Sequence, residues 1–115
     1  MHVCVSIRDS TLRRNALKIE LVRAVEELKK AGVKRIILFG SLAKDEIGPA
    51  SDIDLLVVQE TKKRFIERLG ELYELINPKY ALDLLVYTPS EFNEMKKKST
   101  FIKQILREGK LLYEA

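Results

Sequence analysis

The segment DIDLLVV, residues 52–58, makes two demands that oppose each other. Its run of leucine, isoleucine and valine calls for a buried strand. Its first and third residues are aspartates, and residues i and i+2 of a strand share a face about 6.5 Å apart. Asp52 and Asp54 therefore point the same way at the start of an apolar element. YALDLLVY, residues 80–87, repeats the conflict with Asp83. An ionised carboxylate inside such a run costs on the order of several kcal/mol of desolvation unless something compensates it.

The surrounding pattern decides which fold brings these acids together. Leu17, Leu21, Ala24, Val25 and Leu28 recur at helical spacing up to Gly32, with Ser10 or Thr11 as the expected N-cap. That predicts a first helix of about five turns. RIILF, 35–39, reads as a buried strand closing on Gly40, and GSLAKDEIGPAS, 40–51, as a short helical turn followed by a loop. Phe65, Leu69, Leu72, Tyr73 and Ile76 mark a helix that Asn77 and Pro78 end. Thr88, Pro89 and Glu91 carry the N-cap, first-turn proline and capping-box signals of the next. Phe101, Ile102, Ile105 and Leu106 predict a short helix that Gly109 stops, and KLLYE, 110–114, an edge strand.

Helices alternating with apolar strands predict an α/β (α+β) fold: one domain over residues 1–115, core about 10–113, with a small mixed sheet flanked by helices. The crossover from 58 to 80 is long enough to make its two strands parallel. Parallel strands start at one end of a sheet, so Asp54 and Asp83 should be neighbours. A compact turn after Gly40 would bring Gly40 and Ser41 to the same rim.

Composition narrows the class further. With 46% hydrophobic and 33% charged residues the chain is too apolar for disorder and too charged for a membrane protein. No apolar run nears the roughly 18 residues that span a bilayer, and MHVCVSI lacks the features of a signal peptide, which predicts an intracellular, cytoplasmic protein. Cys4 allows no internal disulfide and with His2 makes a poor metal site; a frayed or edge-strand terminus fits it better. The net charge of +4 is a mild bias. Its clusters, Arg13–Arg14, Lys62–Arg64 and Lys96–Lys98, lie in or beside predicted helices without interleaved aromatics, which disfavours a nucleic-acid surface.

Three acids on one rim suit Mg²⁺ or Mn²⁺, and two such ions about 3.5–4 Å apart form the usual clamp for displacement at phosphorus. Structural alternatives stand beside this: Asp52 could cap or end a loop, and Asp54 and Asp83 could pair with Arg35. Gly40 lets the backbone turn sharply and approach a ligand, while the amides of Ser41 and Leu42 and the Ser41 hydroxyl offer donors to phosphate oxygens. Lys44 could neutralise a phosphate or simply be solvated.

Gly-Ser, ten residues, DID and a single aspartate in a later strand together resemble the DNA polymerase β-like nucleotidyltransferase superfamily, and the length resembles its minimal members. The resemblance implies metal ligation by Asp52, Asp54 and Asp83, two Mg²⁺ ions, and help from Asp83 in deprotonating an acceptor hydroxyl. It implies ATP or another NTP bound by Gly40 and Ser41, with Lys44 and Ser51 beside them. GSLAKD departs from the frequent GSxARG, so Lys44 replaces an arginine and Asp45 a glycine; the charge survives and the bidentate guanidinium does not. Minimal relatives without an acceptor-binding domain commonly act as antitoxins of HEPN-type ribonuclease toxins, by adenylylating a tyrosine or by sequestration. The resemblance thus implies such a partner, or a second copy of the chain, rather than a small-molecule acceptor. Phe101, Ile105 and Leu112 either face that partner or close the domain's own core.

Overall fold

The backbone of residues 5–44 and 52–115, and the side chains of these except 5–11 and 13, are described in a computed structural model. Helix α1 (Val5–Lys30) leads into β1 (Arg35–Phe39), followed by β2 (Ile53–Val58), α2 (Phe65–Ile76), β3 (Leu82–Tyr87), α3 (Pro89–Lys98), α4 (Thr100–Glu108) and β4 (Lys110–Glu114). The order is the one that the hydrophobic pattern predicts. The first helix differs in its start: it begins at Val5, so Ser10 and Thr11 lie within it rather than capping it. No Gly or Pro between Val5 and Thr11 interrupts helical propensity, and a competent cap residue does not by itself start a helix. His2 and Cys4 lie outside the described residues.

The sheet runs β3-β2-β1-β4. β2 and β3 are parallel, whereas β1 is antiparallel to both β2 and β4. Alternation along the strands divides the core into two layers. Ile36, Leu38, Ile53, Leu55, Val57, Leu82, Leu84 and Val86 face α1 and α2. Ile37, Leu56 and Val58 face α3 and α4, where Phe92, Ile102 and Ile105 cover them. Ile105 is buried and Leu112 packs against the core, so both serve the domain itself; Phe101 stays 53% exposed.

Helix ends are fixed by local chemistry. Asn77 adopts the left-handed conformation (φ 48°) and its amide donates to Tyr73 O at 2.8 Å, closing α2 before Pro78. Thr88 accepts from the Glu91 amide, and Glu91 in turn accepts from the Thr88 amide at 2.9 Å. At Gly109, which ends α4 and opens β4, a Cβ would lie 2.5 Å from Ile105 O and 2.8 Å from Leu38 O. Both obstacles are backbone, so neither can rotate away. Gly109→Ala is therefore expected to lower stability by roughly 1–3 kcal/mol, read as a lower denaturant midpoint at unchanged m; an unchanged midpoint would show that the α4–β4 junction yields freely.

Candidate active site

Strand register brings the acids together. Asp54 stands opposite Asp83 in the parallel pair and opposite Phe39 in the antiparallel pair. The row Phe39, Asp54, Asp83 thus crosses the end of the sheet where β2 and β3 begin. Its residues alternate with the α1/α2-facing ones, which places the row on the α3/α4 side. Asp54 is half-buried and Asp83 exposed. The burial cost expected for Asp83 is therefore not incurred there, because β3 is the outer strand of the sheet. Asp54, with a strand on either side, carries it instead.

Desolvation, then the nearby Asp83 charge, a side-chain hydrogen bond shared with Asp83, and the Asp52 charge together push Asp54 up to about 6. All four causes favour the protonated carboxyl. Asp52 is half-buried just before β2 and acts on Asp54 through space. Arg35, the cation that could have made these acids a plain salt bridge, pairs instead with Glu114 at the opposite end of β1.

The Gly-Ser turn closes over the pair. Gly40 has φ +76°, and a Cβ there would lie 2.3 Å from Asp54 Oδ2. The left-handed backbone and the close approach each demand glycine. The Lys44 amide donates to Gly40 O at 3.3 Å, with Leu42 and Ala43 buried beneath the turn. The Lys44 ammonium lies 3.2 Å from Glu108 Oε1. Ser51 and Asp45 lie outside the described residues.

Among the described residues, no three His, Cys, Asp or Glu side chains gather into a group able to hold a metal ion. What is assembled is a touching pair, Asp54 and Asp83, with Asp52 beside it. The donors fit a hard divalent cation even so: all are carboxylate oxygens, and their mutual repulsion is what a cation between them would relieve.

Three supports escaped sequence reasoning. The Tyr73 hydroxyl donates to Leu82 O at 2.7 Å and accepts from the Leu84 amide at 3.1 Å, bridging the backbone on either side of Asp83. Arg68, only 7% exposed, donates to Val86 O, Lys63 O and both carboxylate oxygens of Glu91. Glu20, 4% exposed, accepts from Arg23 and from the Lys79 amide at 2.6 Å, while Arg23 reaches Ile76 O and Asn77 O. Position 68 was detectable in part, since it lies four residues before Leu72 and eight before Ile76 on the apolar face of α2.

The electrostatics set a sign. Asp54 holds its proton more tightly folded than unfolded, so between about pH 4 and 6 the folded state binds the extra proton and stability falls as pH rises. Without divalent cations, Asp54→Asn should raise stability above pH 6 by on the order of 1 kcal/mol, discounting for solvent screening, and have little effect below pH 4. Thermal melts in a chelator across that range check it; equal shifts at both ends would remove repulsion as the cause. In Gly40→Ala the carboxylate tip can move aside but the left-handed backbone strain stays, so this variant should fold with Asp54 displaced and stability lowered by about 1–2 kcal/mol, read as a lower denaturant midpoint.

Comparison with known proteins identifies the family and the fold. Residues 18–113 match the nucleotidyltransferase domain family. A candidate protein adenylyltransferase of Methanocaldococcus jannaschii is 32% identical over 94 residues, covering 82% of this chain and 92% of that protein. The fold is shared with the crystal structure of a candidate nucleotidyltransferase from Sulfolobus solfataricus, at a TM-score of 0.65 and 17% identity, covering 91% of this chain and 86% of that one. It is also shared with a toxin-antitoxin structure containing AMP-PNP, at a TM-score of 0.56 and 22% identity, covering 81% of this chain and 72% of that one. The chain therefore belongs to the nucleotidyltransferase domain family.

Proposed function

We propose that the protein transfers AMP from ATP to a hydroxyl group, a tyrosine of a partner protein, with pyrophosphate leaving. The observation that carries this reading is the Asp54–Asp83 pair held in register under Gly40, a cluster that costs stability as a structural element and suits phosphoryl chemistry. The relative described as a candidate protein adenylyltransferase supports a protein acceptor, and the likeness to a toxin-antitoxin structure supports a partner of that kind, an HEPN-type toxin.

In the transfer, the acceptor oxygen forms a bond to the α-phosphorus as the bond to the bridging oxygen of pyrophosphate breaks. Mg²⁺ held by Asp52, Asp54 and Asp83 would supply charge to the phosphate oxygens and lower the pKa of the acceptor hydroxyl. Asp83, the exposed member of the pair, receives the acceptor's proton. Gly40 leaves the turn open for phosphate oxygens to approach its backbone, and Ser41 contributes its hydroxyl. Very little else is required, because positioning and charge supply most of the catalysis in such displacements.

Calorimetric titration of ATP and the other NTPs, with and without Mg²⁺, tests the reading without knowledge of the acceptor. The wild type is expected to bind ATP only with Mg²⁺, and Asp52→Asn/Asp54→Asn to lose that binding while keeping its fold. Equal absence of binding in both would turn the reading toward a module that neutralises its partner by sequestration, and co-purification would then identify the partner.

A further inference from the structure

Beside the acid row lies a cleft of about 130 Å³ between the Gly40 turn and α4, lined by Phe39, Gly40, Lys44, Phe101, Gln104 and Glu108 among others. It begins one strand from Asp54, because Phe39 is that residue's register partner. The Phe101 ring stands edge-on to Phe39, with centroids 6.0 Å apart, and more than half of the residue is open to solvent. Phe101 follows Ser99, the α4 N-cap, and Ile102 and Ile105 already fill that helix's share of the core. An aromatic is thus left more than half exposed against Phe39, the register neighbour of Asp54, and outside the buried core.

The same wall is polar beyond the ring. Gln104 and Glu108 follow Phe101 at i+3 and i+7 on α4, and Gln104 donates to Glu108, which also holds Lys44. Against the roughly 300–1,000 Å³ of a whole-ligand pocket the space suits one ring system. Aromatic faces stack on bases of any sequence, and a carboxamide is the side chain that pairs with the N6 and N7 edge of adenine.

We infer that this cleft seats the adenine base of the nucleotide, stacked on Phe101 and read by Gln104, with its phosphates extending over Asp54 and Asp83. The inference rests on the proposed nucleotidyl transfer and adds the base subsite to it. Gln104 would exchange its bond to Glu108 for bonds to the base, and Glu108 would stay anchored by Lys44.

The test is titration of Mg²⁺-ATP, Mg²⁺-GTP and Mg²⁺-tripolyphosphate into the wild type, Phe101→Ala, Gln104→Ala and Asp54→Asn. Phe101→Ala should weaken ATP about tenfold while leaving tripolyphosphate, which has no base, unchanged. Gln104→Ala, at an exposed position, should reduce the preference for ATP over GTP at least about fivefold. If both variants bind ATP like the wild type while Asp54→Asn does not, the base subsite is overturned and the transfer reading stands; the cleft would then suit an acceptor side chain. Equal weakening of ATP and tripolyphosphate in Phe101→Ala would assign Phe101 to the fold and overturn the inference too. A wild type that binds none of the three overturns both readings.

Discussion

Asp54 and Asp83 face each other across two parallel strands, and that juxtaposition of like charges constrains everything around it. It requires a crossover helix, because only a long connection lets two neighbouring strands run the same way. It requires β3 to be the outer strand, since one acid can then remain hydrated while the other is half-buried. It requires glycine at position 40, where a side-chain atom would meet the Asp54 carboxylate. Packing alone would favour an apolar residue at the half-buried position 54, and the Asp83 charge beside it adds to the cost of an acid there.

An outer strand needs its unpaired edge managed. Residues 82, 84 and 86 point their backbone groups away from β2, whose partners are Ala81 O and Tyr87 O. Helix α2 supplies the missing bonds through Tyr73 and Arg68. The Glu20–Arg23 pair ties α1 to the end of α2 and to Lys79, just ahead of β3. Strand β3 is thus held from its outer side and at its entry, and Asp83 is held with it. The hydrogen bond from Arg23 lowers the Glu20 pKa, so that contribution is full above the unfolded value and lost as pH falls. Asp54 has the opposite sign in the adjoining window, so stability rises with pH where Glu20 titrates and falls with pH where Asp54 does.

The parts of this arrangement written in local pattern were legible in the sequence. Strands 35–39 and 110–114 and the helix from Phe65 to Ile76 follow from periodicity and breakers, and the α3 start from its capping box. The convergence of Gly40, Asp54 and Asp83 followed from topology, because a parallel crossover puts strand starts at one end. Tyr73, Arg68 and Glu20 were not legible, since each acts on backbone atoms that only the tertiary fold brings near. The extension of α1 to Val5 escaped because Ser10 and Thr11 are good caps and also tolerable helix residues. Phe101 was read as core or partner surface; its place beside Phe39 depends on how α4 crosses the sheet.

The asymmetry of the acid row bears on how so small a domain could manage two substrates. On the β1 side the row ends at Phe39 and the cleft against α4, walled by Phe101 and Gln104. On the β3 side it ends at an exposed carboxylate on the outer strand. A nucleotide seated from the cleft toward the acids would leave its α-phosphate open from the β3 side, where Asp83 is exposed. An acceptor approaching there would meet Asp83, the exposed carboxylate of the pair. In-line displacement needs the attacking and leaving oxygens on opposite sides of phosphorus, and a one-sided cleft is enough to impose that order. The acceptor would then arrive at the sheet's open end on a surface of its own.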